Sequence, residues 1–158
     1  MDELDEEHFF HTRLEWTEGE GGTTLDYEAY RRSHRAKCPE KPPIEMSAAP
    51  QYLGDPDRLN PEELFTASLA SCQMLTYLAL AAFAGIRILS YTDEAEGVLA
   101  KKERKMQMVR ILLRPKIVVA EGTDREKALA LVQKAHAQCF IANSVTTEAV
   151  IQPNVVVG

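Results

Sequence analysis

Cys72 and Cys139 are the residues of this 158-residue chain best suited to chemistry. One thiol sits inside a long apolar helical run. The other follows a second helical run, in Ala-His-Ala-Gln-Cys139-Phe-Ile-Ala-Asn-Ser-Val. The remaining cysteine, Cys38, lies beside Pro39 in a turn-rich stretch and is read as incidental. Two thiols in core-type segments suit paired redox chemistry, although free cysteine also packs as a small hydrophobe. A thiol attacks as its thiolate. An unperturbed cysteine, of pKa about 8.5, is only a few per cent ionised at neutral pH. Burial lowers that fraction further. Cys72 therefore needs a cation. Its helical neighbours three and four positions away, Ser68, Leu69, Leu75 and Thr76, carry no charge. The basic cluster Arg31-Arg32-Ser33-His34-Arg35 is the obvious supplier.

The elements that position these groups are readable in outline. Asn60-Pro61-Glu62-Glu63 is a helix start: Asn60 caps, Pro61 suits the first helical position, and two acids favour the positive helix end. The helix is predicted to run to about Ala84 and stop at Gly85. No charged residue occurs from Leu64 to Ile86, and a run of that length can span a bilayer. Thr66, Ser68, Ser71, Gln73, Thr76 and Tyr77 dilute it, however, so a central helix buried on all sides fits the pattern better. Thr123-Asp124-Arg125-Glu126 predicts a capping box for a second helix, with Ala128, Leu131, Val132, Ala135 and His136 as its apolar stripe.

Around the helices, residues 8–17 and 23–30 read as a hairpin about the turn at Gly19–Gly22. Ile44–Ser47 reads as a short strand and residues 49–59 as loop. Ile86–Leu99 and Met106–Val119 read as two long strands, and 144–158 as a last strand interrupted at Pro153. This order is α+β rather than alternating βα. It fits one domain spanning 1–158. An uncharged helix this long leaves more apolar face than two helices and modest sheets can cover, so a homodimer that buries the central helices between two sets of strands is expected.

Hydrophobic content of 45% and charged content of 27% are ordinary globular values. The net charge of −6 argues against general nucleic-acid binding. Three cysteines make no disulfide scaffold and fit a reducing compartment. The acidic start Met1-Asp-Glu-Leu-Asp-Glu-Glu does not read as a signal peptide, and a cytoplasmic location is expected. His34 and His136 lack the second ligand pair that a structural zinc site needs. A Cys/His acyl-transfer site would call for a glycine-rich nucleophile elbow, which the sequence does not contain.

Three stretches together resemble the OsmC/Ohr family of thiol-dependent peroxidases. They are Asn60-Pro-Glu-Glu-Leu-Phe65 with Ala70-Ser-Cys72; Ala135-His-Ala-Gln-Cys139 with Ile141-Ala-Asn-Ser144; and Tyr27-Glu-Ala-Tyr-Arg-Arg-Ser-His34, followed by Ser47-Ala-Ala-Pro50 and Gly54-Asp55. The resemblance extends over about residues 10–157. It implies an intertwined α+β homodimer with active sites at the interface, reducing organic hydroperoxides. It makes Cys72 peroxidatic and Cys139 resolving. Glu62, ten residues before Cys72, would hold an arginine near the thiolate. That arginine maps to Arg32, with Arg31 and Arg35 as alternatives. Reductants would be small dithiols or lipoylated proteins, with no bound metal or other cofactor and no membrane or nucleic-acid partner. Phe140 stands where one branch of the family carries proline.

Geometry adds one constraint. Ten helical residues rise about 15 Å, so Glu62 cannot reach Cys72 of its own chain and a partner chain is expected to supply it. An apolar pocket lined by Phe65, Leu69, Met74 or Phe140 would favour lipid-like peroxides. The rival reading is a dimeric binding protein for a small apolar ligand that kept this fold without turnover.

Overall fold

The structure, a computed structural model, describes residues 6–158; positions 1–5 of the acidic start lie outside the described residues. The chain forms two compact units, one up to Pro61 and one from Glu62 to Gly158.

The first unit carries an antiparallel sheet of three short strands, β1 (Arg13–Glu15), β2 (His34–Lys37) and β3 (Ile44–Met46), with one helical turn, α1 (Glu18–Gly21), after β1. The sheet differs from the expected hairpin. β1 pairs with β2, Leu14 opposite Ala36, and residues 23–30 are turns. The reason is local. Asp26 Oδ1 accepts the Glu28 N–H at 3.0 Å, a side-chain turn that competes with a ladder. Tyr27 and Tyr30, which read as strand residues, spend their rings on Arg32 instead. β3 is where the sequence placed it. Past it, the Ser47 N–H bonds to the Leu59 carbonyl at 2.9 Å, and Ser47 Oγ accepts the Asp55 N–H at 3.0 Å.

The second unit is built on α2 (Pro61–Phe83), followed by β4 (Ile88–Asp93), β5 (Glu96–Lys102), β6 (Lys105–Leu113), β7 (Pro115–Val119), α3 (Arg125–Gln138), the short α4 (Phe140–Asn143), β8 (Glu148–Ile151) and β9 (Asn154–Val157). Gly85 at φ 67° ends the helical region, and the Ile86 N–H closes on the Ala81 carbonyl at 2.9 Å. Each of the two long expected strands is split in two, and its halves belong to different sheets, ordered β4-β7-β9 and β5-β6-β8. The corners meet: Asp93 Oδ1 accepts the Arg114 N–H at 2.7 Å. Pro115, unable to donate to a ladder, opens β7. β8 joins β6 and β9 joins β7, both in parallel.

Helix α2 buries one stripe, Thr66, Leu69, Gln73, Tyr77 and Ala81, at helical spacing. Tyr77 and Ala81 pack with Ile117, Val119, Ala128, Val132 and Val155; Leu69 packs with Ile111 and Leu113. Gly97 on β5 allows the close approach of α2, since a Cβ there would stand 2.3 Å from Thr66 Oγ1. The opposite face, Ser68, Ser71, Leu75, Ala79 and Ala82, is exposed. The chain as described thus covers one side of α2, where the sequence led us to expect burial all round. By length and apolar composition α2 is also the one helix among the described residues that meets the requirement for crossing a membrane.

Candidate redox site

Asp124 starts α3 with its side chain accepting the N–H groups of Glu126 at 3.0 Å and Lys127 at 3.2 Å. The helix ends at Gln138 because Cys139 turns extended, at φ −69° and ψ 114°, while its N–H still reaches the His136 carbonyl. α4 then begins at once, and the Asn143 N–H returns to the Cys139 carbonyl at 3.0 Å. Asn143 Nδ2 adds a bond to the Ala137 carbonyl at 3.1 Å. Cys139 therefore sits in a tight, doubly hydrogen-bonded corner between two helices, fully buried.

Cys72 faces that corner from the middle of α2, half-buried, near enough for its thiol to interact with that of Cys139. Both are free thiols. Burial pushes the Cys139 thiol up; backbone N–H groups, Ala142 foremost, pull it down, and the neighbouring Cys72 thiol raises it again. Burial and the Cys72 thiol thus favour the protonated form of Cys139.

Two polar residues in α2 fix this approach. Gln73 Nε2 donates to the Val132 carbonyl and Tyr77 Oη donates to the Ala128 carbonyl, each at 3.1 Å. Gln73 and Tyr77 are one turn apart on α2, as are Ala128 and Val132 on α3. The pair stitches the helices in register, with Cys72 directly beside Gln73. Sequence reasoning had treated both residues only as dilution of an apolar run. Their signal was polarity at core spacing: Thr66, Gln73 and Tyr77 share the stripe of Leu69 and Ala81. Gln73 Oε1 and His136 Nδ1 remain buried without hydrogen-bond partners.

Glu62 lies in the first turn of α2, about 15 Å along the helix from Cys72. Its carbonyl accepts Thr66 Oγ1 at 2.8 Å, and its Oε2 is buried with no hydrogen-bond partner. The three candidate arginines belong to the first unit and differ sharply. Arg35 is neutralised by Glu45, Nε to Oε1 at 2.7 Å, and Arg58 holds the other carboxylate oxygen at 2.6 Å. Arg31 is pinned through its backbone, but its side chain is exposed and in no ion pair among the described residues. Arg32 is half-buried. Its Nη1 and Nη2 donate to the carbonyls of Tyr30 and Tyr27, and it pairs with no carboxylate among the described residues.

Of the expected pocket residues, Phe65 packs against Leu69. Leu69 is core, Phe65 and Met74 are half-buried, and Phe140 is 79% exposed. Cys38 sits half-buried in the turn between β2 and β3. No group of three or more His, Cys, Asp or Glu able to hold a metal occurs among the described residues.

Comparison with known proteins gives a consistent result. The model of the family described as OsmC-like protein matches residues 54–154. An OsmC-like protein of unknown function from Vibrio cholerae is 32% identical, with a TM-score of 0.85, covering 94% of this chain and 100% of that one. An organic hydroperoxide resistance protein from Elizabethkingia anophelis, 19% identical, shares the fold at a TM-score of 0.70, over 98% of this chain and 100% of that one. The organic hydroperoxide resistance protein OhrB of Bacillus subtilis, 18% identical, does so at 0.61, over 94% and 98%. Comparison with curated proteins gives no match.

Proposed function

The chain belongs to the OsmC-like protein family, with its α+β fold, and from that membership we propose that it is a thiol-dependent peroxidase reducing organic hydroperoxides. One observation carries the reading: two free thiols from distant parts of the chain are neighbours, Cys139 buried and Cys72 half-buried. The hydroperoxide resistance proteins of the same fold suggest the substrate class.

In the proposed cycle the Cys72 thiolate attacks the terminal peroxide oxygen. The O–O bond breaks, the alkoxide leaves as an alcohol after taking a proton, and Cys72 becomes a sulfenic acid. The sulfur of Cys139 then displaces hydroxide. Its own proton leaves with that hydroxide as water, and a Cys72–Cys139 disulfide remains. Closure needs Cα atoms within about 7 Å. A small dithiol or a lipoylated protein restores both thiols by exchange. The chemistry calls on no metal or organic cofactor.

Arg32 is the cation we assign to the thiolate. Among the described residues its charge meets no carboxylate and carbonyl bonds hold its shape, whereas Arg35 is already paired and the side chain of Arg31 has no ion pair. The unpartnered buried oxygen of Glu62 suits accepting a guanidinium N–H. The helix rise makes a second subunit the natural link between that carboxylate and a thiolate site. A homodimer would also cover the exposed Ser68–Ala82 face of α2, and a cytoplasmic location suits reduced thiols.

The test is consumption of tert-butyl or cumene hydroperoxide in the presence of dithiothreitol or dihydrolipoamide. Turnover that disappears in Cys72→Ser is the expected result. Absence of Cys72-dependent turnover with either reductant overturns the proposal and favours the non-catalytic binder.

A further inference from the structure

We propose that Tyr27 and Tyr30 are positioning residues that hold the Arg32 guanidinium in an aromatic cage, a role that rests on Arg32 being the thiolate's cation. The guanidinium carbon lies 3.8 Å from the ring centroid of Tyr30 and 4.6 Å from that of Tyr27. The two rings meet edge-on, with centroids 6.2 Å apart. Trp16 braces the cage from the other side of Tyr30, edge-on at 6.3 Å, and its indole N–H donates to the Arg31 carbonyl at 2.8 Å. The same two tyrosines supply the carbonyls that accept from Nη1 and Nη2. Each tyrosine therefore holds Arg32 twice, by its ring face and by its backbone.

This construction fixes a flexible side chain without spending its charge. A free arginine loses rotamer freedom when it docks; a caged one has lost most of it beforehand. Carboxylate partners would fix it equally well but would neutralise it, as Glu45 does for Arg35. Rings and carbonyls leave the full positive charge. They also leave three of the five guanidinium N–H groups free to face a sulfur anion or a carboxylate. Arg32 and the three rings line one mostly apolar cavity of about 590 Å³, where a charge is screened less than in water. Tyr27 and Tyr30, two residues with no chemistry of their own in the reaction, would then set how much thiolate Cys72 holds at a given pH.

The experiment measures the pH dependence of Cys72 alkylation by iodoacetamide, and kcat/KM for cumene hydroperoxide, in Tyr30→Leu, Tyr30→Phe, Tyr27→Leu and Arg32→Met. Removing a ring face is expected to lower kcat/KM about tenfold, in keeping with the strength of a partly desolvated cation–π contact. It is also expected to move the alkylation midpoint to higher pH. Phenylalanine, which keeps the face and loses only the hydroxyl, is expected to restore both. Should Tyr30→Leu fail to fold, Tyr27→Leu serves in its place, since that ring is 60% exposed. If Arg32→Met shifts the midpoint and neither leucine variant does, the cage is overturned while the assignment of Arg32 stands. If Arg32→Met leaves the midpoint unmoved, the assignment of Arg32 fails and the cage's role fails with it.

Discussion

The thiol of Cys72 neighbours that of Cys139 across 67 positions of sequence, because Gln73 and Tyr77 lock the two helices that carry them. A sulfenic acid formed on Cys72 would meet its resolving thiol with little rearrangement. Stoichiometric hydroperoxide is therefore expected to lower the intact mass by about 2 Da, as two hydrogens leave with disulfide formation. Cys139→Ser should instead gain about 16 Da, a retained oxygen. Cys72→Ser should show neither change. A mass spectrum in which Cys72→Ser still loses two hydrogens would exclude this pair as the redox couple.

The helix lock itself can be weakened in small steps. Tyr77→Phe removes one buried hydrogen bond and leaves the packing, so a loss of about 1 kcal/mol in urea unfolding is expected. The same variant should form the Cys72–Cys139 disulfide more slowly under limiting peroxide, followed by quenched-flow mass analysis.

Stability at alkaline pH should depend on Cys139. Its folded value lies above the unfolded one because burial disfavours the thiolate. The linked stabilisation is complete below the ordinary thiol range, about pH 8.5, and is lost as pH rises through the raised folded value. The stability advantage of the reduced wild type over Cys139→Ser should accordingly shrink above that range. Chemical unfolding of both proteins at pH 8 and at pH 10 tests it; a constant difference would contradict the assignment.

At the acid end the relevant group is Glu45. The hydrogen bond from Arg35 holds its carboxyl below the ordinary glutamate value, with Arg58 adding to the pull. Its contribution is present above the unfolded value, about 4.3, and is lost as pH falls through the depressed folded value. Glu45→Gln should flatten the acid limb of a thermal-melt series at low salt, and high salt should narrow the difference between variants.

The exposed face of α2 makes a prediction about assembly. Leu75, 59% exposed at the centre of that face, would be covered in the proposed homodimer. Leu75→Arg is expected to shift sedimentation toward the monomer without loss of helix by circular dichroism. A wild type that already sediments as a monomer at micromolar concentration would remove the dimer from the proposal.

Helix starts were the most legible part of this sequence, since Pro61 opens α2 through its backbone geometry and Asp124 caps α3 through local hydrogen bonding. The thiols were legible for a similar reason: few residue types do redox chemistry, and their flanking motifs were distinctive. Strand partners were not. Thr23–Tyr30 has strand-like residues, yet its tyrosines were committed to Arg32, a contact that no periodicity announces. The split of the long strands did leave a mark at Pro115, but alternation on either side of it ran on without a break. The pairing that distinguishes Arg35 from Arg31 and Arg32 was closed to sequence because it depends on which carboxylate each one meets.

Both sheets of the second unit share an order of assembly. In each, the parallel edge strand is contributed last, by residues 148–151 and 154–157, beside strands made more than 35 positions earlier. A ribosome building this chain must therefore deliver nearly all of it before either sheet can finish. Until then the apolar stripe of α2 waits without its full backing.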